Sequence, residues 1–327
     1  MLYSPMDVLT AFPVRKSRKQ KLAFRDAVCA YASGLDYTVC VEKGSFGSRN
    51  VVIGDPERAS YLITAHYDTC ARLPVPNLLT PCSFWGFLGC QLFLTAVMLG
   101  IALCLAAGEC VLFALACLLL GDSFWETLVF ALAALIPALT FLNLIPVSLV
   151  FQFGPANKNN ANDNTSGVVT LLEILRTLPE NQRDKVCFVL FDLEEAGLLG
   201  SAAYRKRHKK ASSRQIVLNL DCVGEGDHLL MFPTKALKKN RKRLTSLYRA
   251  CGYFGKKSLL VHEKGFSIYP SDQMHFPYGV GICALKESKY GLYLSRIHTH
   301  GDTVLEETNV NILRAALTSF ICCDEVN

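Results

Sequence analysis

The chain has 327 residues, is 51% hydrophobic and carries a formal net charge of +6. That length allows one large domain or two small ones with a sizeable core, and so small a charge excess gives no footing for nucleic-acid binding. The 14 cysteines include no CxxC pair and no zinc-finger spacing. They read as reduced thiols, which suggests a cytosolic setting for the polar part of the chain.

The first 21 residues lack the charged-then-apolar order of a signal peptide. Residues 15–33 place Leu22, Phe24, Val28 and Ala32 at helical spacing behind a basic start, which predicts an amphipathic helix. Tyr37 to Val41 and Asn50 to Ile53 read as short strands around a Gly44–Gly47 turn. Tyr61 to Ala65 is a buried strand that runs into His66-Tyr67-Asp68. His66 and Asp68, two apart, share a face of extended chain, and a carboxylate beside a histidine can fix the tautomer that binds metal. Lysine and arginine cluster in 15–21, 205–214 and 238–243. Each cluster reads as a solvated face, with phosphate or lipid contact as the alternative.

Residues 84–151 are different in kind. Phe84 to Ala107 is uncharged and about 36 Å long as a helix, against about 30 Å of bilayer hydrocarbon. Glu109 interrupts, a shorter apolar run reaches Leu120, and Thr127 to Phe151 is uncharged again. The block holds no Lys or Arg. The reading is a transmembrane helical hairpin over 84–151, inserted into a domain made of 1–83 and 152–327. The connecting loop carries only acidic residues and the flanks are basic, so the loop should face outward and the rest of the chain the cytoplasm.

Asp163 follows in the polar loop GPANKNNANDNTSG. Beyond it Val168, Leu171, Leu172, Leu175 and Leu178 mark a helix that Asn164, Thr165 or Ser166 could cap. The Asn164-Thr165-Ser166 sequon is discounted beside a candidate ligand. Val186 to Phe191 is an apolar, β-branched and aromatic strand that ends on Glu194 and Glu195. Adjacent side chains at a strand end point in different directions, so one can bind a metal while the other handles a proton. Ser201 is the expected cap of a basic helix over 202–210. Gln215 to Leu220 is a strand that ends at Asp221, the segment 269–277 a loop, Val280 to Leu285 a strand, and 306–322 a helix following His298 and His300.

Strands that alternate with helices predict a mixed, mostly parallel α/β sheet, whose sites form at the C-terminal strand ends. His66, Asp163, Glu195, Asp221 and His298 all fall at such ends or in loops beside them. Two histidines and three carboxylates suit zinc or a related divalent ion, and they are too many for one tetrahedral zinc with an open position. They suit two ions if one carboxylate bridges.

The segments ITAHYDT, ANDNTSGV, FDLEEAGLLGS, NLD, SDQMHF and IHTHGDT make the sequence resemble the M28 family of co-catalytic zinc aminopeptidases, in the family's order. The resemblance covers nearly all of the chain outside 84–151; that block is a departure, standing where the family has a short loop. It implies a di-zinc metallo-aminopeptidase acting on peptides with a free N-terminus. By this resemblance His66 and Asp221 hold one zinc, Glu195 and His298 the other, and Asp163 bridges. Glu194 is the general base and Asp68 orients His66, while Asp272, His275 and Phe276 line the substrate pocket. His300 competes with His298, which the HTxxDT pattern favours. The rival readings are a single-zinc glutaminyl-cyclase-like acyltransferase and a non-catalytic peptidase-like module of a membrane complex.

Overall fold

A computed structural model describes residues 2–289 and 291–323. The chain separates into two compact units, one of residues up to Gly86 together with those from Ala156 onward, the other Phe87–Pro155.

The strands of the first unit are Val39–Lys43 (β1), Arg49–Ile53 (β2), Tyr61–His66 (β3), Leu78–Leu79 (β4), Val186–Phe191 (β5), Ile216–Leu220 (β6), His228–Pro233 (β7), Gly252–Phe254 (β8), Lys257–Val261 (β9), Gly279–Ser288 (β10) and Gly291–Ser295 (β11). They form a single sheet in the order β1-β2-β5-β3-β6-β10-β7-β9-β8, with β11 on β10 and β4 on β11. The central strands β5, β3, β6 and β10 are mutually parallel. Antiparallel pairs β1–β2, β2–β5, β7–β10 and β8–β9 extend the sheet on either side. This is the expected mixed α/β sheet, with its parallel part at the centre.

The unbroken apolar runs of the central strands follow from burial on both faces. Along β5, Val186, Phe188 and Leu190 enter one core while Cys187, Val189 and Phe191 enter another. The first core is closed by helices Arg18–Ser33, Gly167–Thr177 and Glu307–Cys323, through Phe24, Val28, Leu171, Leu172, Leu313 and Leu317. The second packs Phe191 against Tyr204 of helix Leu199–Arg207 and against Phe276. Helix Arg18–Ser33 begins with a capping box: Gln20 N–H donates to Ser17 Oγ at 3.3 Å and Ser17 N–H donates to Gln20 Oε1 at 2.9 Å.

Two local expectations are corrected. The 15–21 cluster is only partly a solvated face: Arg18 and Lys19 are exposed, but Arg15 is fully buried and Lys21 is buried against Asp192 at 2.7 Å. Ser201 does not cap its helix, which starts at Leu199; its hydroxyl donates back to the Leu198 carbonyl at 3.1 Å.

The second unit is helical. Helix Phe84–Leu119 runs 36 residues straight through Glu109. The second apolar run, expected as one helix, is broken at Leu135 into Phe124–Ala134 and Ile136–Phe153, with Pro137 in the first turn of the latter. Helices Phe84–Leu119 and Ile136–Phe153 are long and apolar enough to cross a membrane. Their leucines and phenylalanines, among them Leu92, Leu112, Phe141 and Leu149, face outward. The one charge of the first helix, Glu109, accepts a hydrogen bond from Asn143 Nδ2 of the other at 3.1 Å.

Candidate metal centre

Strands β5, β3 and β6 are parallel neighbours, so their C-terminal ends lie side by side on one edge of the sheet. That edge receives His66 and Asp68 from β3, Glu194 and Glu195 from the turn after β5, and Asp221 from the end of β6. Asp163 comes from the irregular turn that precedes helix Gly167–Thr177, and His298 from the segment after β11.

The five expected donors come together. His66 Nε2 lies 3.2 Å from Asp163 Oδ1 and 3.5 Å from Asp221 Oδ1. His298 Nε2 lies 2.9 Å from the other Asp163 oxygen and 3.5 Å from Glu195 Oε2. Asp163 therefore faces both histidines, one oxygen to each, with Asp221 on the first side and Glu195 on the second. His300 is exposed and outside this group; its carbonyl accepts from Asn159 Nδ2 at 2.6 Å. Two thiols that the sequence reading passed over stand close by. Cys70 lies within 4.8 Å of ligand atoms of Glu195 and His298, and Cys222 within the same distance of Asp163 and Asp221.

The residues fit a divalent cation. Four carboxylates and two imidazoles share a largely buried space, and Glu195 Oε1 is buried with no hydrogen-bond partner among the described residues. Burial raises Glu194 well above the carboxylate range and pushes Glu195 up to about 7, with neighbouring carboxylates adding to both. Burial opposes charge on the histidines, yet the carboxylates win. Glu194 leads in raising His66 well above its ordinary value, and Glu195 leads in raising His298 to about 10. Burial also works against a charged Asp163, but hydrogen bonds from His298 and His66 hold it below the usual carboxylate range. The site thus favours positive charge at its centre. Imidazole and carboxylate donors suit zinc and its divalent relatives.

The supporting contacts explain how the donors are held. The two Asp302 oxygens accept the N–H groups of Asn162 at 2.7 Å and Asp163 at 3.0 Å, which fixes the turn. The Asn164 carboxamide donates to the Leu220 carbonyl at 2.9 Å and accepts from Gly167 N–H at 3.1 Å and Cys222 N–H at 3.2 Å, pinning that turn to the end of β6. Asn164 is wholly buried, which excludes the sequon as a glycosylation site. Arg15 sits behind the site. Its guanidinium donates to the carbonyls of Tyr67 and Phe12 and to Thr165 Oγ1. Burial lowers it to about 10, and Asp68 and Asp163 act against that loss of charge.

The Asp68 carboxylate is 3.7 Å from His66 Nδ1, too far for a hydrogen bond; Asp68's own carbonyl oxygen, at 3.2 Å, meets that nitrogen instead. The carboxylate accepts the N–H groups of Glu194 at 3.1 Å and Glu195 at 3.3 Å, so it ties the end of β3 to the Glu-Glu turn. Leu193, Cys222 and His298, each at or next to a donor-bearing turn, take left-handed backbone values with φ near 60°, a cost typical of residues pinned at functional sites.

The three expected pocket residues divide. Asp272 is fully buried, neither oxygen has a hydrogen-bond partner of ordinary geometry among the described residues, and burial pushes it up to about 7. His275 is partly buried with Nδ1 2.9 Å from Ser201 Oγ. Phe276 belongs to the core, 1% exposed between Phe191 and Tyr204. It also lines a cavity of about 790 Å³, together with His275, Tyr269 and its neighbour Met274, 59% exposed.

Comparison with known proteins accords with this arrangement. The model of Peptidase family M28 matches residues 148–319, which takes in Asp163, Glu194, Glu195, Asp221 and His298 but not His66 or Asp68. Aminopeptidase YwaD of Bacillus subtilis is 42% identical over 67 residues, a match that covers 20% of this chain and only 15% of that relative. Two solved structures share the fold. The LapA aminopeptidase of Legionella pneumophila aligns with a TM-score of 0.53 at 15% identity, over 98% of this chain and 68% of its own. The glutaminyl cyclase of Bacteroides thetaiotaomicron bound to N-acetylhistamine aligns with a TM-score of 0.57 at 16% identity, over 96% of this chain and 94% of its own. The family match spans more than half of the chain and includes most of the donor cluster, and on that footing the chain belongs to peptidase family M28.

Proposed function

We propose that this protein is a membrane-anchored di-zinc aminopeptidase that removes N-terminal residues from peptides. The observation that carries the reading is the position of Asp163, which turns one oxygen to His66 and the other to His298. In this reading His66 and Asp221 hold one ion, Glu195 and His298 the other, and Asp163 touches both. Zinc or a related divalent ion in such a place makes water acidic enough to attack near neutral pH and polarises a carbonyl.

The chain's own residues do the rest. Glu194 leads the groups that raise His66, and its main-chain N–H is held by Asp68. Its environment raises its proton affinity, which suits a base that takes a proton from water and hands it to the leaving amine. Buried Asp272 and the Ser201–His275 pair flank the place where the substrate's N-terminal end is received. The two long apolar helices act as a hairpin that crosses a bilayer twice, with the catalytic unit cytoplasmic. The basic flanks and the acidic connecting segment support that orientation.

The test is hydrolysis of aminoacyl-amides and of matched peptides with free and acetylated N-termini, with metal analysis of the same preparation. Release of N-terminal residues from free peptides only, with two ions per chain, is the expected result. Cyclisation of N-terminal glutamine with one ion per chain would overturn it in favour of a glutaminyl-cyclase-like activity. No turnover of any peptide by the metal-loaded protein would leave only a binding module.

A further inference from the structure

A second concavity, of about 570 Å³, lies beside the donor cluster, between residues 72–78 and the segment that carries β11 and His298. Main chain joins it to the site. Leu73 N–H donates to the His298 carbonyl at 2.8 Å, and β4 pairs with β11 through Leu78 and Leu79. The wall of the concavity and a proposed metal ligand are therefore one piece of structure.

Its charge is of one sign. Among the described residues that line it are Arg72, Lys286 and Arg296, and no carboxylate. The carboxylate behind this wall is Glu225, 4% exposed. Its Oε1 accepts from both Lys286, at 2.6 Å, and Arg296, while its Oε2 accepts from Ser295 at 2.7 Å. One buried carboxylate thus faces two cations, and both of its oxygens already accept hydrogen bonds. Arg72 is exposed and makes no hydrogen bond or ion pair among the described residues. A concavity of this size holds one or two amino-acid residues, and fixed charge of one sign in a concave wall concentrates ligands of the other.

We infer that this concavity is a carboxylate subsite, so that the substrates proposed above are peptides that carry an acidic group within reach of the cut bond. The inference rests on the peptidase reading for the word substrate, but the binding it claims can be measured without turnover. Glu225 holds Lys286 and Arg296 in place, and Arg72 meets the ligand from the opposite wall. The carboxylate comes either from an Asp or Glu side chain or from the C-terminus of a short peptide.

The test uses the full chain and four matched, fluorescein-labelled tetrapeptides with a free N-terminus. They carry Glu or Gln at one downstream position and a free or amidated C-terminus. Anisotropy reads binding, and hydrolysis of unlabelled twins reads KM and kcat. At low salt the peptides with a carboxylate should bind on the order of tenfold tighter than the neutral amide, the scale of one charge-assisted hydrogen bond. The preference should shrink as salt rises. Arg72→Glu should abolish it and Arg72→Lys restore part of it, each read as binding of the carboxylate peptides relative to the neutral amide. Preference for the Glu amide identifies the side chain as the source, and preference for the Gln free acid identifies the terminus. Equal binding of all four peptides, or a preference that survives Arg72→Glu, would overturn the subsite. Carboxylate-selective binding without hydrolysis would overturn the peptidase reading and leave the subsite standing.

Discussion

Glu194 and Glu195 are neighbours in sequence whose main-chain N–H groups rest on the same carboxylate, Asp68. Glu195 lies 3.5 Å from His298 and falls in one donor group with His66 and Asp163, while Glu194 is outside the donor groups of the described residues and leads in raising His66. Glu194→Gln should therefore keep its metal and lose turnover by about 10²–10⁴-fold, the usual worth of a general base. Glu195→Gln should lose metal as well. Metal analysis beside kinetics reads both, and identical behaviour of the two variants would refute the division of labour. Asp302→Asn should weaken metal binding by about 10–100-fold, because it loosens the two N–H contacts that fix the Asp163 turn; a chelator competition measures it. That the five expected donors gather could be read from the sequence, because metal chemistry restricts residue type and a strand end restricts position. Asp302 sat in the HTxxDT pattern that located His298, yet its role depends on where its oxygens point. Arg15 gave no signal at all. A buried arginine and a solvated one look alike in a basic run, and only the fold turns this one inward against Tyr67, Phe12 and Thr165.

At the scale of elements, the turn before helix Gly167–Thr177 must press against the end of β6. A Cβ on Gly167 would stand 2.3 Å from the Leu220 carbonyl and 2.4 Å from Asn164 Oδ1. Gly167→Ala should therefore cost about 1–3 kcal/mol of stability and also weaken metal binding, since Asn164 clamps that turn; denaturant unfolding and metal titration read the two effects. In the helical unit, the contact between Glu109 and Asn143 joins helices that are otherwise apolar. Such contacts contribute about 0.6–2 kcal/mol in a bilayer, so Asn143→Leu should loosen the pair, seen as faster cross-linking or proteolysis between them. Helix types and order were largely legible, because period and burial leave a clear mark. Breaks were less so: the split at Leu135 lies inside an uncharged run, while for the run 110–120 the sequence left two courses open, extension of the first helix or part of the outer loop, and the helix takes the first. Strands β8 and β9 leave little mark in the sequence, since short segments at the flank of the sheet lack a long apolar run; β7 carries the apolar run 229–232 and its strand was legible but not drawn out.

For the whole molecule, the expectation is an integral membrane protein with two crossings. Carbonate washing should leave it in the membrane. In a background with its native cysteines replaced, a cysteine at Asp122 should react with an impermeant thiol reagent on intact cells. One at Lys210 should react only after the cells are opened. The reverse pattern would put the catalytic unit outside, and extraction by carbonate would remove the crossings altogether. The sequence carried this expectation because the absence of charge over such lengths is informative by itself.

The side-by-side ending of β5, β3 and β6 has a consequence for how the protein responds to chelators. The spacing of His66, Glu195 and Asp221 is set by the ladder of main-chain hydrogen bonds between strands, and the two cores beneath it hold that ladder without help from any ion. Small metallo-domains whose fold depends on the ion collapse when it is removed. Here stripping should silence the protein and leave it standing: circular dichroism should be nearly unchanged, the melting point lower by a modest amount, and activity restored on adding zinc back without a refolding step. An ion held this way would be a tenant of the architecture, and repeated cycles of stripping and reloading should each return the same activity.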